Sequence, residues 1–118
     1  MKKKNAKNKT IVLPVHELRE LLRQTSVTLS DELSRSVARQ TSCDILPCTE
    51  YTEEVKKQYL LTEKLFYVQY CRSSLEQCIK EGKSTLTYRR KNRSPITTTF
   101  TMSTEHKVSV TNFADVRK

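Results

Sequence analysis

One glycine, Gly82, stands in a chain of 118 residues, and tryptophan is missing altogether. Loops that cradle phosphates or dinucleotides need several glycines, because the backbone must turn tightly and approach the ligand closely. The P-loop and the dinucleotide fingerprint are therefore excluded. There are two histidines, His16 and His106. They lie far apart, and neither has a cysteine or serine partner that spacing would bring beside it, so a catalytic triad has no support. Carboxylate pairs such as Glu53-Glu54 fit the electrostatics of a helix start better than acid–base work. No enzyme is expected. No apolar run approaches the ~18 residues of a membrane span. Met1-Lys2-Lys3-Lys4 opens in the manner of a secretion signal, but the apolar stretch after it, Ile11 to Val15, is broken by Pro14. A secretion core takes roughly 7–15 apolar residues, so a cytoplasmic location with reduced thiols is the expectation.

The four cysteines, Cys43, Cys48, Cys71 and Cys78, invite a zinc site. Cys71 and Cys78 fall seven apart in a helical stretch, which is about 10 Å along the axis. Sulfurs on one zinc, at bonds of about 2.3 Å, sit far closer than that, and the same separation forbids a disulfide between them. Cysteine as a small buried hydrophobe is the expected role. No metal or cofactor is expected.

What the sequence has in abundance is positive charge: +9 net, with a pI near 9.6. Its placement is uneven. Residues 1–16 carry Lys2, Lys3, Lys4, Lys7 and Lys9 and no acid. Residues 82–104 carry Lys83, Arg89, Arg90, Lys91 and Arg93 and again no acid. The stretch between, 17–81, has 9 basic and 11 acidic residues. Two cationic segments flanking a near-neutral middle read either as a solubilising lysine tail and a solvated hairpin tip or as two parts of one phosphate-binding surface. The expected nucleic-acid contacts are Lys2, Lys3, Lys4, Lys7, Lys9, Arg89, Arg90, Lys91 and Arg93.

The chain is organised around Thr49 to Gly82, which reads as one long helix. Thr49 suits an N-cap, Glu50, Glu53 and Glu54 suit the first turn, and Lys80 suits the last. Gly82 suits the left-handed residue that closes many helices. At 100° per residue, Tyr51, Val55, Tyr59, Phe66 and Tyr70 share one flank. Leu61, Leu65, Val68, Leu75 and Ile79 share the next. A narrower stripe holds Leu60, Tyr67, Cys71 and Cys78. A helix apolar on several sides is covered on several sides, by the chain's own elements or by a second copy. Leu60, Tyr67 and Cys71 are the expected partner-binding residues.

Ahead of it, residues 1–9 read as a disordered basic arm. Thr10-Ile11-Val12-Leu13-Pro14 reads as a brief edge strand. Two short helices are expected, Val15 to Gln24 and Ser30 to Gln40, with Ser26-Val27-Thr28-Leu29 breaking them. Thr41 to Cys48 reads as a loop with an Ile45-Leu46 plug. The arm, the strand-like Lys9-Thr10-Ile11-Val12-Leu13-Pro14, a first helix with Glu17-Leu18 and Leu21-Leu22, and a second opened by Ser30 together resemble the ribbon-helix-helix family of DNA-binding dimers. The resemblance implies a strand that pairs with its dimer mate and lies in the major groove. Lys9, Thr10 and Val12 would then point one way and Ile11 and Leu13 toward the core. It covers under a third of the chain, and the turn lacks the usual glycine. A helix-turn-helix fits less well, because it sets Glu32 and Arg35 where apolar residues are required.

After Gly82 the period changes to two. Leu86 and Tyr88, then Ile96, Thr98, Phe100 and Met102, then Val108 and Val110 alternate with threonines, Arg89 and Lys107. This predicts a three-stranded antiparallel meander covering the long helix with its apolar face, and a frayed tail from Asn112 to Lys118. Few aromatics fall on the polar face, which counts against base-stacking RNA platforms. The expected fold is α+β: two short helices, one long helix and a C-terminal three-stranded sheet. It forms one domain over 10–118, helical in 15–82 and β in 84–111. The expected function is a small basic regulator that binds nucleic acid, DNA rather than RNA, as a homodimer. The alternative is an interaction module (adaptor, chaperone or anti-factor) that docks an acidic protein partner.

Overall fold

The structure is a computed structural model, and it describes residues 9–42, 48–90, 93–103 and 106–114. It is α+β, with two helices and a four-stranded antiparallel sheet. Strand β1 spans Thr10–Pro14, helix α1 Val15–Ser42 and helix α2 Cys48–Glu81. Strands β2 (Lys83–Arg90), β3 (Arg93–Met102) and β4 (Lys107–Thr111) follow, and the sheet order is β1-β4-β3-β2. Among the described residues, no helix is long and apolar enough to cross a membrane.

The two short helices expected before the long one are a single helix of 28 residues. The supposed break fails because its polar residues find partners inside the helix pair. The Thr25 hydroxyl donates back to the Leu21 carbonyl at 2.8 Å, and the Ser26 hydroxyl accepts from the Gln69 amide at 3.1 Å. Such residues favour turns only when the helix leaves them without a better bond. Leu18, Leu22 and Leu29 are all buried, so one apolar stripe runs through the expected turn.

Helix α2 begins one residue before the expected Thr49, within the ordinary latitude of helix ends. Gly82 closes it as expected, with φ at +88° and its amide donating to the Cys78 carbonyl. A Cβ there would meet nothing within 4 Å, so the backbone conformation alone selects glycine. The Thr49 and Tyr51 side chains, the Ile45-Leu46 plug, Cys43 and the Cys48 side chain lie outside the described residues.

The meander gains a fourth strand. β1 pairs antiparallel with β4, Ile11 opposite Val110 and Leu13 opposite Val108. It caps an edge that three strands would leave unpaired, and Pro14, which has no amide to donate, sits at its end. This corrects the implication of the ribbon-helix-helix resemblance: the strand is used within its own chain.

Both helices lie on one face of the sheet. Leu18, Leu22, Leu61, Val68, Cys71, Leu75 and Cys78 meet Tyr88, Phe100, Val108 and Val110, all buried. Full burial of each large apolar side chain stabilises by about 1.5–3 kcal/mol. Tyr67 sits at the centre, its ring tilted against Tyr88 and Phe113. Its hydroxyl lies 2.7 Å from that of Thr98, which donates to the Asn112 carbonyl at 3.0 Å. The Ala114 amide donates to the Tyr67 oxygen at 3.1 Å. Residues Asn112 to Ala114, expected to fray, are thus anchored.

Candidate nucleic-acid interface

With the helices on one face, strand alternation decides what the other face carries. The outward positions are Thr10, Val12 and Pro14 on β1; Ser109 and Thr111 with Lys107 on β4; Thr97, Thr99 and Thr101 on β3; and Lys83, Thr85, Thr87 and Arg89 on β2. One register row crosses all four strands as Thr10, Thr111, Thr99 and Thr85. At about 4.8 Å between strands, these hydroxyls form an evenly spaced line, with the Thr10 and Thr111 oxygens 3.3 Å apart. The next row is Val12, Ser109, Thr101 and Lys83. No carboxylate stands among the described outward positions of the strands. The face offers hydroxyl donors and cations, the groups that position a phosphate backbone without reading sequence.

The expected basic residues divide. Arg89 is exposed and follows inward Tyr88, so it falls on the open face. Arg90 folds back, its guanidinium donating twice to the Ser94 carbonyl at 3.1 and 2.7 Å. Arg93 turns the other way and pairs with Glu63 of α2 at 2.8 Å. The arginines expected to act as one cluster therefore have three different jobs. A β-bulge between Tyr88 and Arg90 separates them. Lys9 is exposed at the head of β1, its carbonyl accepting from Asn112. It lies toward the end of the sheet from which the β2–β3 hairpin projects, since Thr10 shares a row with Thr85 and β2 runs on to Arg90. The root of the arm and the hairpin thus lie toward the same end of the sheet, on its two opposite edges. Lys2, Lys3, Lys4, Lys7 and Lys91 lie outside the described residues.

Sequence reasoning missed Lys83 as a contact and left Lys107 out of the contact set. Both stand on the open face, toward the end of the sheet opposite Arg89. Lys83 was legible from Leu86 and Tyr88 by counting back in twos, but Ser84, polar yet 7% exposed, hid the inward phase.

The expected partner stripe also divides, and this corrects it. Tyr67 is 1% exposed and Cys71 0%, because the sheet covers them. Leu60, 47% exposed, lies where that cover ends. It lines a groove of about 670 Å³ between the helices with Leu21, Leu29, Leu61 and Lys57. Burial pushes the Cys71 thiol up to about 12, and Cys78 is also raised by burial. Both are core side chains, seven apart on one unbroken helix.

Comparison with protein-family models, with curated proteins and with solved structures finds no match.

Proposed function

We propose that this protein is a small non-enzymatic regulator that binds nucleic acid, DNA in the first instance, as a homodimer through phosphate contacts. The observation that carries the reading is the uncovered sheet face. Its described outward positions hold hydroxyls, Lys83, Arg89 and Lys107 beside Val12 and Pro14, with no acid among them. The net charge of +9 supports it. Phosphate neutralisation releases counterions, so affinity falls steeply with salt. Threonines in place of exposed aromatics favour backbone contacts over base stacking.

The test is binding of the full chain to a generic duplex across a salt series, against Lys83→Ala/Arg89→Ala/Lys107→Ala. The reading expects micromolar-or-better binding at low salt, weakened in the triple variant. Absence of binding at low salt overturns it. The half-exposed Leu60, in an apolar groove whose rim carries Lys56, Lys57 and Lys64 with Glu32 and Glu53, favours the second reading, docking of a protein partner. Under that reading Leu60→Ser, and not the triple variant, abolishes capture.

A further inference from the structure

Helix α2 is apolar on three sides, and the fold covers two. Helix α1 lies along one and the sheet along another. The third carries Val55, Tyr59, Phe66 and Tyr70, exposed at 42%, 50%, 53% and 50%. No described element of the chain packs over their outer sides, although the Tyr70 ring touches Tyr88 at 5.8 Å. Three half-exposed aromatics in one line are an unusual amount of apolar surface for a 34-residue helix to leave in water.

We infer that this stripe is the seat of a second copy of the same chain, packed with its α2 antiparallel to the first. This deepens the reading above by naming the surface that its homodimer uses. The spacing carries the argument. Among the flank residues whose side chains are described, Val55, Tyr59, Phe66 and Tyr70 are separated by four, seven and four residues, a pattern that reads the same in both directions. Its midpoint falls between Thr62 and Glu63. A two-fold axis there sets Tyr59 of one copy against Phe66 of the other, and Val55 against Tyr70. An isologous interface uses one patch twice and must be complementary to itself. A foreign partner imposes no such symmetry.

Charge agrees. The ionisable group nearest the midpoint, Glu63, is already paired with Arg93 at 2.8 Å, and its side chain is 13% exposed. Two copies therefore meet without opposing bare charges at the axis. Half of three aromatic side chains, each worth about 150–250 Å², is roughly 300 Å² of apolar surface per copy. Standard interfaces bury about 800 Å² per partner. The stripe thus forms the apolar centre, and Thr62, Ser73 and Gln77 on the same flank supply a polar rim. The interface belongs with the weaker, reversible class. The Glu63–Arg93 ion pair of each copy lies near the axis.

The experiment is sedimentation equilibrium of the full chain without nucleic acid, from micromolar to millimolar, beside a Tyr59→Ser/Phe66→Ser variant checked for folding by circular dichroism. The expected result is a mass rising from 13.8 kDa toward twice that for the native chain, and a variant that stays at 13.8 kDa with an unchanged spectrum. A second measurement is independent of affinity. In a Cys43→Ser/Cys48→Ser background, Tyr59→Cys with Phe66→Cys places two thiols about 10 Å apart along one helix, too far for a bond within the chain. Oxidation should give a covalent dimer, whereas Val27→Cys with Val37→Cys on α1 should not. A native chain monomeric at millimolar concentration overturns the inference, as does a dimer that survives the serine changes or equal crosslinking from α1. A monomer that still binds duplex DNA removes the dimer alone. A dimer that binds no DNA removes the nucleic-acid reading alone.

Discussion

Thr97, Thr98 and Thr99 are consecutive and chemically identical, yet they belong to two different surfaces. Thr98 points toward the helices, is fully buried, and has its hydroxyl bonded to both Tyr67 and Asn112. Thr97 and Thr99 point the other way, beside Thr87, Thr85 and Thr111. The contrast holds across the sheet: Phe100, Val108 and Val110 on one face, hydroxyls and cations on the other. What a residue does here is set by the parity of its position. A slip of one residue would exchange the two faces, so the strand pairing that protects the core also presents the polar surface.

That comparison can be broken most forcefully on its inner side. Phe100→Ala should destabilise the fold by about 3–5 kcal/mol, read in urea unfolding. Thr99→Ala and Thr101→Ala, the neighbours on the open face, should stay within about 0.5 kcal/mol. A large loss from either threonine would mean that the open face is covered after all.

A smaller effect is expected from Tyr67→Phe, which keeps the ring and removes the hydroxyl that holds Thr98 and the Ala114 amide. The groups left without a partner should cost about 1–3 kcal/mol. Faster hydrogen exchange at Ala114 would locate the loss.

Smaller again are the titrations. The buried Cys71 thiol is raised to about 12, whereas a free thiol ionises near 8.5. Its contribution is complete below about pH 8.5 and declines as pH rises toward 12, because only the unfolded chain then gains charge. Cys71→Ala should flatten that alkaline decline. Both Cys71 and Cys78 should resist alkylation in the native protein and react on unfolding. At the other extreme, the Ser36 hydroxyl and then Arg39 hold the Glu54 carboxyl below its usual range. Stability from that contact is present above pH ~4.3 and lost as pH falls through the lowered value. Glu54→Gln should weaken the acid dependence of unfolding.

Much of this was legible in the order of residues. The long helix, the Gly82 cap and the alternation of Leu86, Tyr88, Ile96, Phe100, Val108 and Val110 all follow from local periodicity. So does the threonine lattice. The continuity of α1 was only partly legible: the stripe of Leu18, Leu22 and Leu29 and the Thr25 bond to Leu21 are local, but the partner of Ser26 is Gln69, 43 residues away. The fate of Thr10–Pro14 was half legible: its alternation marks a strand, but its partner is about a hundred residues away. The arginines between 89 and 93 looked alike as charge and were separated by a bulge and by Glu63, which no spacing rule foresees. The stripe of Leu60, Tyr67 and Cys71 failed for a related reason. Helical periodicity shows which residues share a side, but not where along that side the sheet stops.

The most direct test of the central claim is the salt dependence of duplex DNA binding by the native chain and by the Lys83→Ala/Arg89→Ala/Lys107→Ala variant. If the open face neutralises phosphates, log affinity falls linearly with log salt for the native chain. The variant's slope should then be shallower by up to about 0.9 for each cation removed, with its unfolding free energy unchanged. Equal slopes in the two proteins, or no binding by the native chain at low salt, would contradict the account.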